Sequence, residues 1–242
     1  MINTVRNTVM AVLNKDNNGY VTPQEFNLFA KQAQLEIFED YFYAYNHWVT
    51  KKNGMYRHHM RQSNSGYADI PKQLAEVIDT FSLESGALAN VANVFTLPTD
   101  WYDLITVNYN SIEVERTSHN KILNLLSSNL TAPTASYPAY SLNGATVSAT
   151  GNTITVYPTT ITSGITTSYV RYPLDPNWTY TTLNGSPLFD QTATDYQDFE
   201  LPASDQTTLV LKILEYAGIN IREPEVTQFA GTEEAITDQN EN

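Results

Sequence analysis

The segment Asn14-Lys15-Asp16-Asn17-Asn18-Gly19-Tyr20-Val21-Thr22-Pro23-Gln24-Glu25 has the spacing of a calcium loop. Oxygen donors stand at positions 1, 3, 5 and 9, glycine at 6, a β-branched residue at 8 and glutamate at 12. Calcium needs several hard oxygens carrying net negative charge. Positions 1 and 5 are the neutral Asn14 and Asn18, and Lys15 lies inside the loop, so Asp16 and Glu25 would be the only anionic ligands. The same residues are accounted for without metal: Asn18-Gly19 turns the chain, Val21 packs as a staple, and Thr22 with Glu25 forms a capping box around Pro23. Calcium loops usually come in pairs, and no second one is present. The expectation is a capped helix junction with no metal.

Other candidates for chemistry are thinner. His58 and His59 are adjacent and so point apart, and they belong to a basic run of Lys51, Lys52, Arg57, His58, His59 and Arg61, which reads as a loop. His47 and His119 are isolated. Glu113 and Glu115 stand at period two, as on a solvated strand face, and give no paired acids for glycoside hydrolysis. Neither a nucleophilic serine elbow nor a glycine-rich phosphate cradle is found. With no cysteine, thiol nucleophiles, disulfides and Cys-ligated zinc are excluded. The sequence therefore predicts no catalytic, cofactor-binding or metal residue, and no enzyme.

The charge balance points the same way. With 13 basic and 26 acidic side chains the chain carries −13, which argues against a groove that grips nucleic acid. From Asn220 to Asn242 six carboxylates (Glu223, Glu225, Glu233, Glu234, Asp238, Glu241) face a single Arg222, so this tail alone contributes −5 of the −13. Charged residues make up only 16%, while Thr, Ser and Asn abound, so much of the surface is neutral and hydrogen-bonding. Met1–Leu13 alternates polar and apolar residues, unlike a signal peptide, and no run approaches membrane-spanning length. A cytosol-like compartment is expected, which makes the sequons at Asn129 and Asn177 chance matches.

The elements that position these residues follow from periodicity. Val5, Val9, Val12 and Leu13 predict a helix over about Asn3–Leu13. A second, starting at the Thr22–Glu25 cap, carries Phe26, Phe29, Ala30, Ala33, Ile37, Phe38, Tyr41, Phe42, Tyr45 and Trp48, and is expected to end at Asn53-Gly54. Its apolar stripe is too broad for one subunit to cover. A third helix is predicted at Pro71–Phe81, and Leu97-Pro98 marks a change to β structure. Leu104–Asn108 and Ile112–Arg116 read as a hairpin with Ile112 and Val114 on one face, followed by a short helix at Asn120–Leu126. Strands at Tyr140–Leu142, Ala145–Ala149, Thr153–Tyr157 and Thr167–Arg171, with Asn143-Gly144 and Gly151-Asn152 between them, predict a small antiparallel meander. A last helix is expected from an N-cap at Ser204 to a C-terminal cap at Gly218.

The class expected is α+β: a helical-bundle body (residues 1–96 and 200–220) with an inserted antiparallel β domain (97–199) and an extended acidic C-terminal tail (221–242).

Several stretches together carry a family resemblance. A Lys-Asp-x-x-Gly-Tyr-[Val/Ile]-[Thr/Ser]-Pro-x-Glu-Phe-Asn turn at Lys15–Asn27 continues as Ala-Gln-x-Glu-x-Phe-Glu at Ala33–Glu39. Further on come Leu97-Pro98-x-Asp100-Trp101, Glu113-Val114-Glu115, Val156-Tyr157-Pro158 and Tyr169-Val170-Arg171-Tyr172-Pro173. Phe199-Glu200-Leu201-Pro202 then leads to Leu211-x-Ile213-Leu214-x-x-Ala217-Gly218-Ile219. The chain resembles, over most of its length, the ring or adaptor proteins of the head–tail connector in crAss-like podoviral bacteriophages.

That resemblance implies a virion structural protein of the neck or tail, assembled in the host cytoplasm. It implies a cyclic ring of twelve copies below the portal, whose partners are itself, the portal protein and adjacent ring or tail proteins. Genomic DNA would pass through the ring without sequence-specific binding. A cyclic ring needs two different complementary surfaces per subunit; the aromatic helix Phe26–Trp48 and the segment after Gly218 are the expected pair. The alternatives are a carbohydrate-binding or host-facing tail module built on the Thr- and Tyr-rich strands, and a calcium-dependent helix pair at Asn14–Glu25.

Overall fold

The computed structural model describes residues 1–13, 21–56, 70–144 and 151–221. Three helices come first: α1 (Ile2–Leu13), α2 (Pro23–Tyr56) and α3 (Ile70–Asp79). Strands β1 (Ser82–Glu84), β2 (Asn90–Val91), β3 (Val94–Thr96), β4 (Trp101–Tyr109), β5 (Ile112–Glu113) and β6 (Glu115–Arg116) follow, then α4 (His119–Leu126). After these come β7 (Ala139–Asn143), β8 (Thr153–Tyr157), β9 (Ile165–Arg171), β10 (Tyr180–Leu183) and β11 (Ser186–Phe189). A 3-10 turn (Ala203–Asp205) leads into α5 (Gln206–Ile221). The fold class is mixed α+β, as expected.

The chain separates into two compact units, one of Met1–Val77 with Pro173–Asn242, the other of Ile78–Tyr172. These limits differ from the 97–199 read in the sequence. Strand β1 starts well before Leu97-Pro98, on only three residues, too few to show an alternation. The stretch from Pro173 to Phe199 belongs with the helices, for a reason given by the side chains of α2 below.

In the helical unit α5 packs against both α1 and α2. The buried positions recur at helical spacing: Ile2, Val5, Val9 and Leu13 on α1, Phe26, Ala30, Ala33 and Ile37 on α2, Leu209, Ile213 and Ala217 on α5. Two expected helix ends are not ends. Helix α2 runs through Asn53-Gly54 to Tyr56, and α5 through Gly218 to Ile221. A glycine inside a helix costs only about 1 kcal/mol and stops the chain only where it takes the left-handed cap conformation. Ser204 is not an N-cap either. It lies inside the 3-10 turn, and its hydroxyl donates to Asp205.

In the β-rich unit the strands form two sheets, β1-β9-β4-β5 and β2-β3-β8-β7-β6. Their shared core is Phe95, Leu97, Val107, Val114, Tyr140, Ile154, Val156, Ile161 and Ile165. Strands β7 and β8 form the expected antiparallel pair, but the meander goes no further. Strand β9 sits between β1 and β4 in the other sheet, and β6 runs parallel to β7. The stretch read as one strand, Ile112–Arg116, is broken at Val114. Its N–H donates to Val107 (2.8 Å), while that of Glu115 donates to Pro138 (3.0 Å), so the chain changes sheets at this residue. Val114 is thereby buried and Ile112 left exposed, not paired on one face. The expected strand Ala145–Ala149 lies outside the described residues. Helix α4 is capped by Ser118, whose hydroxyl accepts from the Lys121 N–H at 3.3 Å.

Candidate interaction surfaces

At the start of α2 the capping box is formed. Glu25 Oε2 accepts from both the N–H of Thr22 (2.9 Å) and its hydroxyl (2.8 Å), and Thr22 Oγ1 accepts from the Glu25 N–H (3.3 Å). Glu25, the one described carboxylate of the calcium template, is thus engaged in capping. Val21 is buried, as a staple requires. Thr22, at position 9 of the template, is engaged in the same cap, and Asn14–Tyr20, with positions 1, 3 and 5, lie outside the described residues.

One face of α2 grips the chain that returns from the β-rich unit. Asn27 donates to Asn177 Oδ1 (2.7 Å) and to the Trp178 carbonyl (3.3 Å), and accepts from the Trp178 N–H (2.9 Å). One turn on, Lys31 pairs with Asp175 (2.6 Å). Buried Gln34 donates to the Leu174 carbonyl (2.7 Å) and accepts from the Glu200 N–H (3.1 Å). Spacings of four and three put these three side chains on one stripe. Asn27 and Gln34 satisfy backbone groups of an irregular segment whose one bridge among the described residues is the antiparallel pair Asn177–Gln197.

The face of α2 toward α5 is ionic. Lys212 Nζ lies 3.0 Å from Glu36 and 3.5 Å from Asp40, and the Tyr216 hydroxyl donates to Glu36 at 2.9 Å. Burial, then the bond to Glu36, pushes the Tyr216 phenol up to about 12. Burial and a bond to Asp205 raise Tyr41 likewise. Neither phenol is poised to act as a base at neutral pH.

The N-terminus of α1 meets Asp198, whose carboxylate accepts from the Met1 ammonium (2.6 Å) and the Ile2 N–H (2.7 Å). This is a carboxylate at the positive end of a helix. Nearby the Arg6 guanidinium lies 3.9 Å over the Trp178 ring, and the indole N–H donates to Asn3 (3.1 Å). Trp178 also stacks on Tyr180 and Phe189.

Beyond Tyr41, α2 changes character. From Phe42 to Thr50 no side chain is buried, although Phe42, Tyr43, Tyr45, Trp48 and Val49 are among them, and Tyr43 is 75% exposed. His47 stacks on Tyr43 and meets Trp48 edge-on. The β-rich unit also exposes apolar side chains, Leu123 and Leu126 of α4, Tyr137, and Leu130, which is 95% exposed.

The remaining sequence candidates are dispersed. His119 is exposed at the start of α4; Glu113 lies on β5 and Glu115 on β6, in different sheets, with Glu115 paired to Lys121 (3.1 Å). Residues 57–61, with His58 and His59, and residues 222–242 lie outside the described residues. Among the described residues no three His, Asp or Glu side chains converge as metal ligands, and no helix is long and apolar enough to cross a membrane. The clamp at Asn27, Lys31 and Gln34, the buried Lys212 and the cap at Asp198 were not anticipated. The available signals were the polar stripe within α2 and a lysine inside Leu209–Leu214.

Neither a protein-family model nor a curated protein sequence matches the chain.

Proposed function

We propose that the chain is a structural subunit of a phage neck or tail ring, which joins the portal to the tail and forms part of the DNA-conducting channel. The observation that carries this reading is the distal half of α2. Nine consecutive residues rich in aromatics have no buried side chain, in a helix of 34 residues against 16 for its partner α5. An aromatic surface of this kind is what a neighbouring subunit covers. The exposed leucines and Tyr137 of the β-rich unit are chemically different from it, and a cyclic ring needs two unlike surfaces on each copy.

In this reading the helical unit is a bundle-like adaptor body, Ile78–Tyr172 is carried within it, and the acidic tail reaches a neighbouring component. Twelve copies close the ring beneath the portal. The charge of −13 suits a channel that lets DNA pass without holding it. The protein acts by assembly, with no catalytic step and no cofactor.

Native mass measurement and negative-stain imaging of the purified chain test the reading, alone and with a portal ring as template. A closed ring is expected, and Tyr43→Asp should abolish it without altering the far-UV spectrum. A monomer under both conditions overturns the proposal. Removal of Arg222–Asn242 is expected to block particle assembly with the monomer still folded; normal particles would exclude a role for the tail.

A further inference from the structure

Strands β10 and β11 form a ribbon with no third strand among the described residues. Its register pairs Tyr180 with Phe189, Thr181 with Leu188, Thr182 with Pro187 and Leu183 with Ser186. The turn is Asn184-Gly185, both at positive φ. A two-residue turn makes Leu183 and Ser186 a hydrogen-bonded pair, and the bond from Asp190 N–H to the Thr179 carbonyl (3.0 Å) fixes the same phase at the other end. Alternation then directs the backbone N–H and C=O of Tyr180 and Thr182 away from β11. On the far side of the ribbon the outward positions are Phe189 and Pro187, and Pro187 has no N–H to offer. Among the described residues one edge is blunted and the other open.

The faces differ as well. Tyr180 and Phe189 lie on the face stacked against Trp178. The opposite face carries Leu183, 61% exposed, and Leu188, 54% exposed. From Tyr180 to Phe189 there is no charged side chain. Two strands are marginal alone, and a third with an apolar face stabilises them.

We infer that the open edge of β10 receives the segment Val226–Ala230 of a second copy as an added strand. This deepens the ring reading and rests on it. The chain beyond α5 is 21 residues long, from Arg222 to Asn242, enough to extend well past its own subunit. Within this acidic stretch Val226-Thr227-Gln228-Phe229-Ala230-Gly231-Thr232 is uncharged, flanked by Glu225 and Glu233. Val, Thr and Phe favour strands, and Pro224 and Gly231 bound the segment. A neutral strand meeting a neutral ribbon avoids the repulsion that two copies of a −13 chain meet elsewhere. Val226 then covers Leu183 and Leu188, which places Thr227 on the opposite face of the added strand, the face that Thr182 occupies on β10.

The chain has no cysteine, so the test is clean. Full-length Thr182→Cys and full-length Thr227→Cys are mixed and oxidised. The expected product is a disulfide between two chains, identified by mass. A synthetic peptide spanning Glu223–Thr232 should reduce it at least tenfold when in excess. Of two such peptides methylated on alternate backbone nitrogens, one phase should compete and the other should not, which is the signature of strand pairing. Equal behaviour of the two phases overturns the proposal. So does a disulfide that forms only within one chain, in a variant carrying both cysteines. Closed rings that yield no disulfide overturn the strand addition and leave the ring reading intact; absence of rings counts against that reading separately.

Discussion

Lys212 Nζ sits 3.0 Å from the Glu36 carboxylate with the lysine side chain only 4% exposed, so the α2–α5 contact is built around a buried cation and not around apolar side chains alone. Because Glu36 and Asp40 keep access to water, the pair is asymmetric: removing the lysine leaves two carboxylates that can rehydrate, whereas removing Glu36 leaves a cation that cannot. Lys212→Met, which keeps the stem, is expected to change stability by less than about 1 kcal/mol. Lys212→Ala, which also leaves a cavity, should cost about 2–3 kcal/mol. Urea unfolding of both variants checks the difference.

Alkali should weaken the helical unit. An unfolded tyrosine loses its proton near pH 10, as an order of magnitude, while Tyr216 holds its proton up to about 12 and Tyr41 is raised as well. Between those limits the unfolded chain binds fewer protons than the folded one, so stability is full below the unfolded value and falls as pH rises through the folded values. Thermal unfolding followed across this range, with tyrosinate absorbance in parallel, reads the effect. Tyr216→Phe should flatten the slope and cost about 1 kcal/mol at neutral pH.

Acid acts through Asp198. Burial raises its carboxyl, but hydrogen bonds from the Met1 ammonium, the Ile2 N–H and the Phe199 N–H outweigh that and hold it below its ordinary value. Its contribution is present above the unfolded value and lost as pH falls through the lowered folded one. Asp198→Asn should remove this acid limb and destabilise α1 by about 1 kcal/mol at neutral pH, measured by amide exchange along Ile2–Leu13.

The clamp on α2 should be graded by burial. Gln34→Leu strands the Leu174 carbonyl and the Glu200 N–H and is expected to cost about 2–4 kcal/mol. Asn27→Ala should cost about 1–3 kcal/mol by freeing both backbone groups of Trp178. Lys31→Ala removes an exposed pair and should cost at most about 0.5 kcal/mol. Denaturation midpoints that fail to follow this order would show that the irregular segment is held by its apolar contacts instead.

What sequence alone conveyed divides by range. Helix α1, the Thr22–Glu25 cap, α4 and strand β8 depend on neighbours a few residues away, and their periodicity and cap chemistry were readable. Asn27 and Gln34 were not, because a polar side chain on a helix reads as solvated unless its partner is known, and these partners lie 140 residues or more along the chain. Val114 misled for a similar reason. Alternation continues through it, yet its N–H and that of Glu115 bond in opposite directions, which no local pattern encodes. The distal half of α2 was legible as an excess of aromatics; which of its residues stay uncovered became clear only from packing.

The brevity of four strands has a consequence for crowding. The two sheets of the β-rich unit end on β1, β5, β2 and β6, each of two or three residues. End strands this short give an incoming strand few rungs, and along the part of β4 that β5 leaves uncovered the register is irregular at Trp101–Asp103 and Leu104–Thr106, which breaks up that edge too. Copies kept side by side at high local concentration, during synthesis or inside a particle, can therefore touch repeatedly without their sheets merging.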